Sequence, residues 1–164
     1  MMSQNKIQLF SVSIVDVKKF IKEGELILGK NKVNRELLPD IVANDAISRY
    51  EKGQDWFWCS PRFFQNIADG TFVGSACFKN CPYDGLVEIG YGVLESYSGK
   101  GFATAGIAAI INEAFKRTEV KGITSETSVD NVASQRVLEK NGFVKTGTRE
   151  DAEDGSLIVW KRLK

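Results

Sequence analysis

Four glycines, Gly90, Gly92, Gly99 and Gly101, mark the stretch of this chain best suited to hold an anion. The run Glu88-Ile-Gly-Tyr-Gly-Val-Leu-Glu-Ser-Tyr-Ser-Gly-Lys-Gly-Phe-Ala-Thr104 reads as strand, glycine loop and helix start. Gly99 and Gly101 allow a tight turn, so the first free amides of the next helix point into it with the positive end of the helix dipole. That arrangement binds phosphate through the main chain alone. Gly90 and Gly92 lie inside a strand, where glycine marks a bulge or a close backbone approach. If this strand splays from a neighbour, its unpaired amides become available to a ligand lying along it.

Two other phosphate loops can be tested on spacing. A P-loop needs a glycine where Leu94 stands and a hydroxyl where Gly101 stands, so that reading fails. A dinucleotide fingerprint is nearer, with Gly99-x-Gly101-x-x-Thr104 and Glu126 on the next strand. It lacks the third glycine, however, and it follows antiparallel strands rather than opening a βαβ unit. Plain turn chemistry before a helix is the remaining alternative.

Periodicity and turn residues give the elements that must position this loop. A first strand is expected within residues 6–14. The stretch from Asp16 to about Gly53 reads as mostly helical, with apolar positions at Val17, Phe20, Ile21, Ile41, Val42 and Ile47, and Pro39 at a boundary. Phe63 to Ile67 and Thr71 to Phe78 are expected to pair across Asp69-Gly70. Pro82 to Gly85 makes another turn, and Leu86 to Leu94 completes an antiparallel meander. A helix follows from about Gly101 to Arg117, then a strand at Gly122 to Ser128. A second helix spans Asn131 to Lys140 and is ended by Gly142. Two last strands, Phe143 to Thr148 and Leu157 to Leu163, are joined across Asp154-Gly155. In the first of the two long helices, Ala103, Ile107, Ile110, Ile111 and Ala114 share one face. Phe102, Ala105, Ala108 and Ala109 widen it, so this helix is expected to lie buried on the sheet. The sum is a mixed α/β fold: a mostly antiparallel sheet of about seven strands flanked by helices. It forms one domain over 1–164, with an N-terminal part at about 6–53 and a core at about 56–163.

Composition narrows the chemistry. The chain has 164 residues and no histidine, which excludes Ser-His-Asp, Cys-His and His-ligated zinc sites. Twenty-two basic residues against 21 acidic ones leave no net field to steer the protein toward nucleic acid or anionic lipid. Cys59, Cys77 and Cys81 are too few and too irregular for a disulfide framework or a thiolate metal site. They read as buried thiols in a reducing compartment. Met1 to Phe10 is polar and unlike a signal peptide. No stretch approaches the ~20 apolar residues of a membrane span. A cytoplasmic protein without metal, nucleic-acid or membrane partners is expected.

Three segments together resemble the GCN5-related N-acetyltransferases (GNAT superfamily), in the branch that includes the ribosomal-protein N-terminal acetyltransferases. They are Glu88-Ile-Gly-Tyr-Gly with Tyr97-Ser-Gly-Lys-Gly-Phe-Ala-Thr104, Glu126-Thr-Ser-Val-Asp-Asn-Val-Ala-Ser134, and Val137-Leu-Glu-Lys-Asn-Gly-Phe-Val144. With the strand pattern they cover roughly residues 56–163. The resemblance implies acetyl-CoA as co-substrate. Its pantetheine would pair with backbone at Val93 and Leu94. Its pyrophosphate would sit on amides of Ser98, Gly99, Lys100, Gly101, Phe102, Ala103 and Thr104. Asn131 would reach the pantetheine arm, although Asn131 or Asp130 also suits a helix N-cap. Two departures stand out. Ser96 occupies a place that is usually Gln or Arg, and Leu138 replaces the tyrosine that many members use to protonate the leaving thiolate.

Acyl transfer to an amine requires a base, an oxyanion donor and a way for the thiolate to leave. A backbone amide near Val93 or Leu94 suits the oxyanion. A thiol with a pKa of about 8.5 is a tolerable leaving group. Glu88 is the first candidate base, acting through water, and Glu126 the second; either would otherwise be a sheet-surface carboxylate paired with lysine. Ser134 faces the side of Asn131 and is the candidate to protonate or hydrogen-bond the sulfur; otherwise it is a helix-surface serine. Trp56, Phe57 and Trp58 suit core packing or an amine-binding face. Glu150 to Asp154 suits a solvated loop or a lure for a basic substrate. Cys77 and Cys81 show no activating base, so direct transfer is expected. The acceptor reads as a primary amine, on a small molecule or a protein N-terminus. Dimerisation is compatible with the chain and not readable from it. The competing readings are a CoA-binding sensor or adaptor without turnover, and a nucleotide-dependent oxidoreductase.

Overall fold

The structure, a computed structural model, describes residues 6–164; the first five residues of the polar N-terminal stretch lie outside the described residues. The chain runs through β1 (Ile7–Ser11), α1 (Ile14–Glu23), β2 (Leu26–Leu28), β3 (Asn31–Val33), α2 (Asp40–Glu51) and the short α3 (Trp56–Cys59). The meander β4 (Arg62–Asn66), β5 (Phe72–Phe78) and β6 (Leu86–Val93) comes next, then a single 3-10 turn at Glu95–Tyr97. It ends with α4 (Phe102–Phe115), β7 (Gly122–Ser128), α5 (Val132–Lys140), β8 (Val144–Asp151) and β9 (Gly155–Leu163). Among the described residues seven strands form one sheet in the order β1-β4-β5-β6-β7-β9-β8, and β6–β7 is its parallel pair. The mixed α/β fold is therefore as expected.

Each sheet face has its own core. On one side α4 and α5 bury Phe64, Ile89, Ile107, Ile110, Ile123 and Leu138. Gly106 lets α4 approach closely: a β-carbon there would stand 2.4 Å from the Phe64 ring. On the other side α1 and α2 cover Val17, Phe20, Leu38, Ala43, Phe63 and Phe72. The α4 stripe is narrower than its composition suggests, because Ala108 is exposed.

The stretch from Asp16 to Gly53 departs from the all-helical expectation. Ser13 and Asp16 form a reciprocal capping box that starts α1, and Gly24, at φ 79°, ends it by donating to the Phe20 carbonyl. Gly29, at φ 63°, then turns β2 back on β3, burying Leu26 and Val33. Short apolar runs such as Leu26-Ile-Leu do not by themselves separate strand from helix. Pro39 does cap α2 as expected. Asp69-Gly70 is not a two-residue turn. Asn66 N–H closes on the Thr71 carbonyl at 2.7 Å, and Gly70 N–H on the Asn66 carbonyl at 2.8 Å. In the last hairpin, β8 runs to Asp151 and β9 starts at Gly155, so the strands reach further than expected.

Arg62 locks the first core to α3. Its guanidinium lies over the rings of Phe57 (4.6 Å) and Phe78 (4.9 Å), and Nη1 donates to the carbonyls of Phe57 (2.6 Å) and Ser60 (2.9 Å). Glu113 Oε1 stands 3.4 Å from its Nε. Arg62→Met keeps the stem but strands both carbonyls, which costs about 3 kcal/mol. The expected result is a Tm lower by roughly 6–12 °C in a calorimetric scan. An unchanged Tm would show that the stack carries no stability.

Candidate active site

The glycine loop holds a row of free amides. Gly99 and Gly101 take φ of 73° and 85°, and Gly101 is the N-cap of α4 without a capping side chain. Ser98 N–H is used by the Glu95 carbonyl, at 3.0 Å. From Gly99 to Thr104 no amide has a protein partner among the described residues, and the first α4 bond is Ala105 N–H to Gly101 O at 3.1 Å. Six donors are thus left free at the positive end of a 14-residue helix. Lys100 lies 5.7 Å from the Tyr97 ring. Lys6 lies 4.8 Å over the Phe102 ring and 4.0 Å from where a Gly101 β-carbon would be. Two lysines beside a row of unpaired amides suit a diphosphate. Buried Asn141 ties this end of α4 down, donating from Nδ2 to the carbonyls of Thr104 (3.2 Å) and Val137 (3.0 Å).

Before the loop, β6 and β7 part. Their ladder runs from Leu86↔Gly122 to Glu88↔Thr124 and stops, while β6 continues with β5 to Val93↔Gly74. At the fork, Ser125 Oγ–H donates to the Ile89 carbonyl at 3.0 Å, in place of a ladder bond. Strand neighbours turn their peptide groups to opposite sides. Glu88 O accepts from Lys79 N–H, and Leu94 N–H donates to Val73 O, each at 2.8 Å. The even-numbered residues of β6 therefore serve β5, and Tyr91 and Val93 present their main chain to the fork. Of the two amides singled out as oxyanion donors, Leu94 is already committed to β5. Val93 is the one aimed into the opening. Gly90 and Gly92 introduce no register shift against β5; the bulge that such glycines suggest is absent from this pair.

The glycines serve the other face. A cleft of about 290 Å³ opens there, with Ser75, Cys77, Gly90 and Gly92 as floor and Leu37 and Val42 of the α2 side as wall. A β-carbon at Gly92 would meet nothing within 4 Å, and one at Gly90 would meet Lys79 Cε at 3.0 Å. Lys79 closes one end of the cleft and pairs with Glu88, Nζ to Oε2 3.6 Å. Glu88 occupies the last rung before the fork and is partly exposed. Glu126 is held much more firmly: Arg149 donates Nε to Oε2 at 2.5 Å and Nη2 to Oε1 at 2.8 Å. That bidentate bond keeps the Glu126 carboxyl below its usual range.

On the α5 side, Asn131 caps the helix: its Oδ1 accepts Ser134 N–H at 3.0 Å. Ser134 Oγ lies 2.5 Å from the Tyr91 phenol oxygen. Tyr91 and Lys6 are the two site residues that sequence reasoning missed. Alternation offered one signal, since Tyr91 shares a strand face with buried Val87 and Ile89; Lys6 carried none. The aromatic run does not reach the cleft: Trp58 is core, Phe57 stacks on Arg62 and Arg117, and Trp56 Nε1–H donates to Val12 O. The acidic residues Glu150 and Asp151 end β8, and Glu153 and Asp154 cap onto Asp151 in the hairpin tip. Burial pushes the Cys77 thiol up, opposite to an activated nucleophile. Among the described residues no three Cys, Asp or Glu side chains gather as a metal site, and no helix is long and apolar enough to cross a membrane.

Residues 28–144, well over half of the chain, match the family profile described as an acetyltransferase (GNAT) domain. An uncharacterized N-acetyltransferase, YjdG of Bacillus subtilis, is 37% identical over 73 residues, 44% of this chain and 44% of that protein. The ribosomal-protein-serine acetyltransferase of Escherichia coli is 28% identical over 93 residues, 56% of this chain and 52% of that protein. The chain spans about half the length of these relatives. The solved structure of Mycobacterium smegmatis RimJ, in complex with CoA-disulfide, superposes with a TM-score of 0.68 at 19% identity, covering 96% of this chain and 81% of that one. It shares the fold. By the match of its profile across the loop, the fork and the first turns of α5, the chain belongs to the GNAT acetyltransferase family.

Proposed function

We propose that this single-domain protein moves an acetyl group from acetyl-CoA directly to a primary amine, without an acyl-enzyme. One observation carries the reading: the row of unpaired amides at residues 99–104, flanked by Lys6 and Lys100, opens beside the β6–β7 fork. Those amides would hold the pyrophosphate, the main chain of Tyr91 and Val93 the pantetheine, and Asn131 its far side. The carrier supplies an activated acyl group on a thiol leaving group. Val93 N–H, which β5 does not use, would hold the oxyanion. The amine would approach from the Gly90–Gly92 side and the sulfur would leave toward Ser134, so the two groups would reach the carbonyl carbon within the β6–β7 opening from opposite faces of the sheet. Glu88 at the cleft end would take the amine proton through water; Glu126, already neutralised by Arg149, suits that work less. The acceptor is a small-molecule amine or a protein N-terminus, the latter supported by the ribosomal-protein-serine acetyltransferase relative. Three unpaired thiols suit a reducing cytoplasm.

Calorimetry with CoA and acetyl-CoA, followed by thiol release across an amine panel, tests the reading. Saturable binding and release with at least one amine are expected. Binding without release from any amine would instead make the protein a carrier sensor. Glu88→Gln should lower turnover at least about tenfold, whereas Glu126→Gln should leave most of it. The reverse order would reassign the base.

A further inference from the structure

Leu138 fills, fully buried, the place where a tyrosine acid is expected, so the hydroxyl beside the leaving sulfur must be set up from elsewhere. Ser134 alone is a poor proton source, because nothing on its own helix fixes its rotor or replaces its proton. The opposite wall of the fork provides both. Tyr91 projects from β6 across to α5, and its phenol oxygen lies 2.5 Å from Ser134 Oγ and 3.2 Å from the Ser134 carbonyl. That carbonyl sits in the turn of α5 that Leu138 N–H closes, so the short contact to Oγ is the better use of the single phenol proton. We propose that Tyr91 is a positioning residue that donates its O–H to Ser134 Oγ, which frees the Ser134 hydrogen to point into the fork at the leaving sulfur.

The inference rests on the acetyl-transfer reading. As the carbon–sulfur bond breaks, the electron pair goes to sulfur. The Ser134 proton moves to that sulfur, the Tyr91 proton moves to Ser134 Oγ, and solvent returns a proton to the phenolate. Nothing else is consumed. Burial raises the Tyr91 phenol above its ordinary value while the Ser134 bond pulls it partly back. The phenol therefore stays protonated across neutral pH, as a donor must.

Tyr91→Phe removes one oxygen and leaves the ring in place. The expected result is a fall in kcat of at least about tenfold, with KM for both substrates and the calorimetric Kd for CoA within about twofold. Ser134→Ala should lose about as much, and the double variant no more than the larger single loss, since the two groups act as one unit. A second readout needs no turnover. Absorbance titration of tyrosinate should lose a transition lying above the ordinary tyrosine range in Tyr91→Phe, and Ser134→Ala should move that transition to higher pH. Unchanged kcat in Tyr91→Phe, additive losses, or a tyrosinate transition indifferent to Ser134→Ala would each overturn the relay. If the wild type binds CoA but transfers to no amine, the acetyl-transfer reading fails and the relay with it. Transfer by the wild type with an unaffected Tyr91→Phe removes the relay alone.

Discussion

Gly101→Val is expected to weaken binding of both CoA and acetyl-CoA by about 100-fold or more. Gly101 holds φ at 85°, where a β-branched residue is strained by about 1–2 kcal/mol. The valine either bears that strain or rotates the peptide groups around it, and rotation turns the Phe102 and Ala103 amides away from their shared focus. Its methyls also enter the space beside Lys6, whose Cε would be 3.9 Å from the new β-carbon. Charge-assisted bonds contribute about 1.5–3 kcal/mol each. Losing two is therefore worth roughly a hundredfold or more in affinity. Calorimetry at constant salt checks it, with far-UV circular dichroism to confirm that the protein is folded. An unaltered Kd in a folded variant would detach the glycine loop from carrier binding.

Gly92→Phe should abolish transfer at the opposite end of the same segment while leaving carrier binding within about twofold, because it alters only the cleft side. A β-carbon at Gly92 meets no atom within 4 Å, and the side chain extends into the cleft rather than into the core. The backbone is that of an ordinary paired residue opposite Ser75, so the ring does not need a rare conformation. A phenyl group there occupies much of a 290 Å³ space. Gly92→Ala should act selectively, raising KM for bulky amines first. Full turnover of every amine by Gly92→Phe would place the acceptor elsewhere.

Local chemistry made part of this site legible in the sequence. Gly99, Gly101 and Gly142 declare themselves because positive φ at a turn or helix end is a property of a few neighbouring residues. The meander follows from alternation and turn signals for the same reason. What stayed hidden depends on pairing at a distance. Leu94 lost its role as an oxyanion donor because β5 claims its amide, which only the register against Val73 reveals. Glu126 is neutralised by Arg149 because β9 threads between β7 and β8. Tyr91 and Ser134 meet across 43 positions of chain, and no window short enough to read a helix or strand contains both. The hairpin at Leu26–Val33 was obscured by a local ambiguity, since three apolar residues in a row carry no period.

The two hydrophobic cores, one on each face of the sheet, divide labour between grip and taste. Most of what would hold the carrier hangs on the α4–α5 side, where Asn141 ties the two helices together, whereas the wall of the proposed acceptor cleft comes from the separately packed segment around Leu37 and Val42. Substitutions around Leu37 and Val42 would therefore reshape the cleft wall without touching the α4–α5 face.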